Sequence, residues 1–302
     1  MTGERACIVC QRRGPFAPTY ARDGFTLVRC PACGLVFQDP QPTDADLDKT
    51  YYHDEEWTRM LQGPLRERLL ERARQQLAFL DQAGVRPDHG GLLDVGCSSG
   101  TLIELAADAG WTAVGVELGE STAQAARDRG LDVRTGTLPA VVDQFLPGSF
   151  SLITFWDVLE HLRDPREELA LARRLLAPGG TLAATMPNVE GLYPQTTLRL
   201  LARPTGAWEY PELPVHLYDF SPRTTMLLLR RNGFGNVRVR TFATPFWYYR
   251  WTSLSIGALG GRIRGRALRA AFEALHLIVY PLARMTDRGN SQFVVATPLP
   301  TA

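Results

Sequence analysis

Apolar residues along this chain gather in short blocks whose spacing switches between a strand period and a helix period. Gly91-Leu92-Leu93-Asp94-Val95 is a short apolar run that enters a turn of small residues, Gly96-Cys97-Ser98-Ser99-Gly100, and then an apolar-periodic helix over Leu102 to Ala109. A second strand, Ala113-Val114-Gly115-Val116, ends at Glu117. Upstream, Leu65, Leu69, Leu77 and Leu80 recur at helical spacing between Leu61 and Ala83. Downstream, Ser221-Pro222-Arg223 reads as the cap and first-turn proline of a helix that carries Met226-Leu227-Leu228-Leu229 and stops at Asn232-Gly233-Phe234. Strands follow over Val237 to Arg240 and Gln292 to Ala296. This alternation of strand and helix predicts an α/β domain.

The chain has 302 residues, enough for one large domain and a small appendage. Its 33 basic and 32 acidic residues leave a formal charge of +1, so it lacks the positive field of a protein that tracks a phosphate backbone, and nucleic acid is not the expected partner. Lys49 is the only lysine, which reads as codon bias in a GC-rich genome. The first thirty residues show no apolar core between a basic start and a small-residue cleavage site, and no window reaches the roughly 18 uninterrupted apolar residues of a spanning helix. A cytoplasmic location is expected, where paired cysteines bind metal more often than they form disulfides.

Cys7-Ile8-Val9-Cys10 and Cys30-Pro31-Ala32-Cys33 are two C-x-x-C pairs, the second followed by Gly34. Each pair can place two thiolates on a zinc ion from one tight turn, and a loop of about twenty residues between pairs suits a zinc ribbon. Redox C-x-x-C motifs sit at helix starts in a βαβ setting, which is absent here. A closed four-thiolate site leaves no open coordination position, so Zn²⁺ at Cys7, Cys10, Cys30 and Cys33 is expected to hold structure. Leu35 to Pro42 then forms a short strand ended by prolines, which places a domain boundary between 40 and 60: a zinc-binding module over 1–45 and a second, larger domain over 46–302.

The Gly91–Gly100 segment is a strand, loop and helix start able to cradle a nucleotide. It is not the G-x-G-x-x-G dinucleotide fingerprint, because Ser98 and Thr101 stand where glycines would be needed. Glu117, about twenty residues on at a strand tip, is placed to accept two hydrogen bonds from a ribose diol; an ordinary exposed strand-end glutamate is the other reading.

Leu93 to Gly100, Val114 to Glu117, Phe150 to Leu162 (Phe-Ser-Leu-Ile-Thr-Phe-Trp-Asp-Val-Leu-Glu-His-Leu) and Leu175 to Leu182 (Leu-Leu-Ala-Pro-Gly-Gly-Thr-Leu) together resemble the class I S-adenosylmethionine-dependent methyltransferases, in that family's order, over roughly residues 90 to 190. The resemblance implies a doubly wound, Rossmann-like sheet of seven strands beside the zinc-ribbon-like module. It implies that Asp94, Gly96, Cys97 and Gly100 surround the methionine part of the cofactor, that Glu117 binds its ribose, and that Phe155, Trp156 and Asp157 line the sulfonium and adenine side. Cys97 itself is expected to serve as a small packed residue. The family often carries an acid for the adenine amino group after the third strand, where this chain has Gly136-Thr137-Leu138, so backbone contact is expected there.

Methyl transfer from a sulfonium is an in-line displacement that needs alignment, exclusion of water and, for a hydroxyl nucleophile, a base. His161 and His216 are the candidates, the latter in the proline-flanked loop Pro211 to His216. Asp157, Glu160 and His161 also make a D-x-x-E-H sequence that resembles the E-x-x-E-H of small-RNA 2′-O-methyltransferases and ubiquinone-pathway O-methyltransferases. That resemblance implies a divalent cation, Mg²⁺ or Mn²⁺, held with His216. The departure is Asp157, whose arm is shorter than glutamate's, and the alternative is that Glu160 caps or pairs while His161 packs behind the site.

An insertion over 245–288 precedes the last strand and combines Phe246-Trp247-Tyr248-Tyr249, arginines at 262, 264, 266 and 269, and an apolar stretch from Leu275 to Leu282. Two readings stay open: a helical hairpin packed on the sheet edge, or an element meeting lipid or a greasy substrate, which would put the chain at the inner face of a membrane. The expected activity is O-methylation of a bacterial small molecule such as a sugar, a polyketide or a lipid-linked intermediate, as in natural-product biosynthesis. C-methylation of a sugar, a zinc-ribbon RNA methyltransferase and a non-catalytic cofactor-binding module are the alternatives.

Overall fold

The computed structural model describes residues 5–48, 58–59, 61, 63, 65–87, 90–206, 208, 210–244 and 266–300. The chain divides into two compact units: one of Met1–Thr50, Met186–Leu227 and Val239–Phe293, the other of Tyr51–Thr185, Leu228–Arg238 and Val294–Ala302. This differs from the division expected from sequence at residue 45. The sheet that carries the cysteine-bearing segment also takes in a strand from more than 170 residues away.

That sheet has the order β1-β2-β3-β9, built from Ala17–Arg22, Phe25–Arg29, Val36–Gln38 and Tyr218–Asp219. β1 is the exposed edge, a short strand ending in Arg22, which suits an edge that must not template further pairing. β3 is wholly buried and pairs antiparallel with β2 on one side and β9 on the other. Leu27 and Val36 pack with Val189, Ala202, Trp208, Tyr210 and Leu213, so the cysteine sheet and the 186–227 segment share one core. Tyr20 joins them: its hydroxyl accepts from the Trp208 backbone N–H at 2.9 Å and its ring meets the Trp208 ring edge-on at 5.4 Å.

The second unit is framed by a seven-stranded sheet of order β10-β11-β8-β7-β4-β5-β6. Its strands are β4 (Gly91–Val95), β5 (Thr112–Glu117), β6 (Val133–Thr135), β7 (Phe150–Trp156), β8 (Leu176–Pro187), β10 (Phe234–Phe242) and β11 (Ser291–Pro298). β6, β5, β4, β7 and β8 run parallel. Leu92, Leu93, Leu152, Ile153 and Phe155 are completely buried, as expected of central parallel strands covered on both faces. The order reverses direction at β4 and β7, and the crevice beyond the carboxyl ends of strands at such a switch point is where open α/β sheets bind ligands.

Helix ends follow local chemistry. Asp164 caps the helix Pro165–Leu175 by accepting from the Arg166 N–H at 2.9 Å, with Pro165 in the first turn and Arg173 and Arg174 in the last. Ser221 and Thr224 exchange side-chain-to-backbone bonds at the start of Pro222–Arg231, where the sequence placed a cap. Of the 245–288 insertion, Arg266–Met285 is a single helix; Phe246 to Tyr249, Arg262 and Arg264 lie outside the described residues.

Candidate functional site

β4 delivers Asp94 and Val95 to the switch point and ends in a turn that only certain residues can make. Gly96, Ser98 and Gly100 take φ values of 74°, 51° and 74°, left-handed backbone that opens a loop before the helix Thr101–Asp108. Gly96 is also required sterically, since a Cβ there would sit 2.5 Å from Val158 Cγ2. Cys97 turns inward against Gly115, where a Cβ would meet its sulfur at 2.4 Å. Burial, with Asp94 and Glu117 nearby, holds the Cys97 thiol well above its ordinary range, so it is a packed neutral thiol.

Glu117 stands at the end of β5 as the sequence reading placed it. Its Oε2 accepts from the Ser98 N–H and its Oε1 from the Gly119 N–H, both at 2.8 Å. One carboxylate thus ties the 96–100 loop to the turn after β5. Asp94 is buried; its Oδ1 accepts from Thr154 Oγ1 at 2.7 Å. Burial first, then the neighbouring Glu117 charge, push its pKa up to about 7 against the pull of the Thr154 bond. Two acids and a left-handed loop therefore face one place, a setting suited to a ligand that carries positive charge and a diol.

β7 contributes the opposite wall. Phe155 is buried between Val95 of β4 and Ala184 of β8, and Trp156 is nearly so. Asp157 follows with φ 55°; its N–H bonds the Thr185 carbonyl at 2.9 Å and its Oδ1 accepts from Thr185 Oγ1 at 2.8 Å. Its other oxygen is ion-paired with Arg72, a partner that nothing in the sequence pointed to. The next turn, closed by His161 N–H to the Val158 carbonyl at 2.9 Å, carries a fully buried Glu160 and a half-buried His161 whose ligand atoms lie within 4.8 Å of each other. Gly136 donates to the Glu117 carbonyl at 2.8 Å, so the acid-free segment after β6 joins the site through backbone.

The other unit carries the remaining candidates. The sulfurs of Cys7 and Cys33 are 3.5 Å apart, those of Cys10 and Cys30 3.4 Å, and all four lie within 4.8 Å. A tetrahedral ion with sulfur ligands at about 2.3 Å spaces them at about 3.8 Å, so the donor set fits such an ion. Both turns are built as knuckles, with Gln11 N–H donating to the Cys7 carbonyl and Gly34 N–H to the Cys30 carbonyl, and with positive φ at Gln11 and Gly34. The Cys33 thiol bonded to it and then burial push the Cys7 thiol far up, and burial raises Cys10 as well, so without a cation these groups hold their protons.

His216 is buried, 3.8 Å from the Glu212 carboxylate through Nε2, and its N–H donates to the Glu212 carbonyl at 2.9 Å. Glu212 went unread in the sequence, although its four-residue spacing from His216 was a usable signal. Asp219, also unread, is buried beside them with no hydrogen-bond partner for its carboxylate among the described residues, and burial then Glu212 push its pKa to about 7.

A family profile described as a methyltransferase domain matches residues 65–239. The ubiquinone biosynthesis O-methyltransferases of Caulobacter sp. (strain K31) and Methylococcus capsulatus are 36% and 40% identical to this chain, over 32% and 30% of it and 40% of each relative. The chain therefore spans less than half the length of these curated relatives. Among solved structures, Haemonchus contortus phosphoethanolamine N-methyltransferase 2 in complex with S-adenosyl-L-methionine matches with a TM-score of 0.54 at 17% identity, covering 88% of this chain and 62% of that one, a likeness of fold. With the parallel sheet, the loop after β4 and the acid at the end of β5 in the family's order, the chain belongs to the class I S-adenosylmethionine-dependent methyltransferases.

Proposed function

We propose that the chain methylates a hydroxyl group of a small molecule. The observation that carries this reading is the pairing of Glu117, locked to the 96–100 loop, with Asp94 beneath it, joined to relatives named as O-methyltransferases. S-adenosylmethionine, when bound, supplies an electrophilic methyl on a positively charged sulfonium. Glu117 accepts from the ribose hydroxyls, Asp94 places negative charge near the methionine end, and Phe155 and Trp156 exclude water from the reacting side. His161 or His216 removes the proton that the acceptor hydroxyl loses; histidine has the right ordinary pKa for that exchange near neutrality.

A Mg²⁺ or Mn²⁺ ion held at Glu160 and His161 is a second reading, favoured by the proximity of their ligand atoms and by the burial of Glu160. Asp157 would join such a site only by releasing Arg72. Zn²⁺ at Cys7, Cys10, Cys30 and Cys33 would be structural, drawing the thiol protons off and closing all four positions.

The test is transfer of a labelled methyl to a panel of phenolic and sugar hydroxyls, carbon acids and RNA, with the new bond identified by NMR. An O-methyl product supports the proposal. Label on carbon or on RNA, or cofactor that binds without turnover on any acceptor, overturns it.

A further inference from the structure

Three of the five residues in the 96–100 loop are held in left-handed backbone, and Ser98, which carries a Cβ, is one of them. A residue with a side chain stays at φ 51° only where its surroundings over-determine it. From one side the Glu117 carboxylate accepts from the Ser98 N–H at 2.8 Å. From the other, the Arg129 guanidinium donates through Nη2 to the Ser99 carbonyl. An anion thus grips the N–H of one loop residue while a cation grips the carbonyl of the next, each by a charge-assisted bond.

Arg129 is itself built into place. It lies just beyond the helix Glu120–Arg127, its Nη1 donates to the Ala125 carbonyl at 3.1 Å, and its Nε stands 3.8 Å from a Glu104 carboxylate oxygen. Glu104 belongs to the first turn of the helix Thr101–Asp108 that the loop feeds, and both its oxygens accept from Arg66 Nη2, at 2.7 and 3.1 Å. The Arg129 side chain is only 27% exposed; burial first and then the charge of Arg66 pull its pKa below the ordinary range, against the pull of Glu104. A cation that merely capped the Ala125 carbonyl could do so from solvent, whereas this one gives up hydration to reach the loop. We propose that Arg129 is a positioning residue for S-adenosylmethionine: by holding the Ser99 carbonyl, with Glu104 and Arg66 orienting the guanidinium, it keeps the 96–100 loop in its left-handed, ligand-ready form. The proposal rests on the assignment of this loop to the cofactor, and not on which acceptor is methylated.

The test is calorimetry of S-adenosylmethionine and S-adenosylhomocysteine binding to the full chain, with amide hydrogen exchange of the 96–100 loop in the free protein. Arg129→Met should weaken both ligands by the same factor, about tenfold or more as for a lost charge-assisted bond, and should speed exchange in the loop. Loss of the cation's field alone would favour the positively charged S-adenosylmethionine over S-adenosylhomocysteine, so a change in their ratio overturns the positioning role. Arg129→Lys keeps the charge and a donor for the same carbonyl and should restore most of the affinity; a lysine variant as weak as Arg129→Met overturns the role. Glu104→Gln should weaken binding less than Arg129→Met does, and joining the two should add little, because Glu104 acts through Arg129. Unchanged affinity in Arg129→Met with only the melting temperature lowered marks a helix cap and overturns the proposal, as do additive effects of the two substitutions. Should Arg129→Met fail to fold, Glu104→Gln still decides, and parent-like affinity in it overturns the proposal. A parent that binds neither ligand removes the assignment of the loop to the cofactor, and the proposal with it, a result told apart because it needs no variant. None of these readouts depends on methyl transfer.

Discussion

The side-chain amide of Gln38 donates to the carbonyl oxygens of Pro214 at 2.7 Å and His216 at 2.6 Å, and so ties the strand that follows the cysteine knuckles to the loop that carries a candidate base. Arg5 reinforces the tie by donating to the Gln38 carbonyl and the Tyr218 hydroxyl. Gln38→Leu would leave two buried carbonyls without donors, at about 1–3 kcal/mol each. The melting temperature should fall. If His216 is the base, the pH profile of kcat should also shift, whereas a purely structural role for Gln38 would leave that profile unchanged.

Much of the cofactor half was legible in the sequence because its signals are local. The strand, small-residue turn and helix around Asp94 and the acid at Glu117 need only 27 consecutive residues, Gly91 to Glu117, to declare themselves, and the cysteine pairs are as compact. The Ser221 cap and the strands near the C-terminus were likewise found where local rules put them. What was illegible is long-range. β3 pairs with β9 across about 180 residues of sequence, so the cysteine segment could not be seen to share a core with Trp208 and Tyr210. The Arg72 ion pair that engages Asp157 joins residues 85 apart, and no spacing rule reports such a contact.

The cysteine cluster predicts about one zinc per chain by elemental analysis. Cys30→Ser removes one ligand from a closed site and should lower both zinc content and the melting temperature. Because Gln38 and the 211–216 loop hang on the same sheet, loss of zinc should disturb His216 before it disturbs cofactor binding. Chelation that strips zinc yet leaves the melting curve unchanged would remove the structural role.

Asp94 links cofactor affinity to pH. Its pKa of about 7 in the free protein lies above the ordinary carboxylate value of 3.8, and a positively charged ligand favours the ionised form. As pH falls below about 7 the acid must shed a proton on binding, so affinity should weaken by up to about tenfold per unit, levelling off above 7. Calorimetry with S-adenosylmethionine checks this; Asp94→Asn should bind more weakly and show a flatter profile. Glu117→Ala should cost about 1.5–3 kcal/mol in the same measurement, or roughly tenfold to a hundredfold, with loosening of the 96–100 loop included in the loss.

Glu168 gives a stability signature. Burial, with Glu167 beside it, raises its pKa from 4.5 to about 7, and its Oε2 has no hydrogen-bond partner among the described residues. The folded state thus binds a proton that the unfolded chain has lost. The associated stability is fully present below pH 4.5, declines between 4.5 and about 7, and is gone above that. Glu168→Gln should match the parent in acid and exceed it above pH 7 by up to about 3 kcal/mol, read from denaturant midpoints.

Glu160 separates the two mechanisms open to the site. If Glu160 and His161 hold a divalent cation, the acceptor hydroxyl is acidified by Lewis-acid contact, and activity should vanish with a chelator and return with Mg²⁺ or Mn²⁺. Glu160→Gln would then remove a ligand charge and raise the metal concentration needed for half activity. If a histidine alone is the base, added metal has no role, and the rate should show a single limb near the histidine pKa. Zinc at the cysteine cluster, if bound, would also respond to a chelator, so the zinc content must be followed in parallel and the chelator chosen to spare it. A rate that survives with zinc retained, together with near-parent turnover of Glu160→Gln, eliminates the cation. His161→Gln and His216→Gln would next identify the base, since only the true base should lose the limb of the pH profile while cofactor affinity stays unchanged.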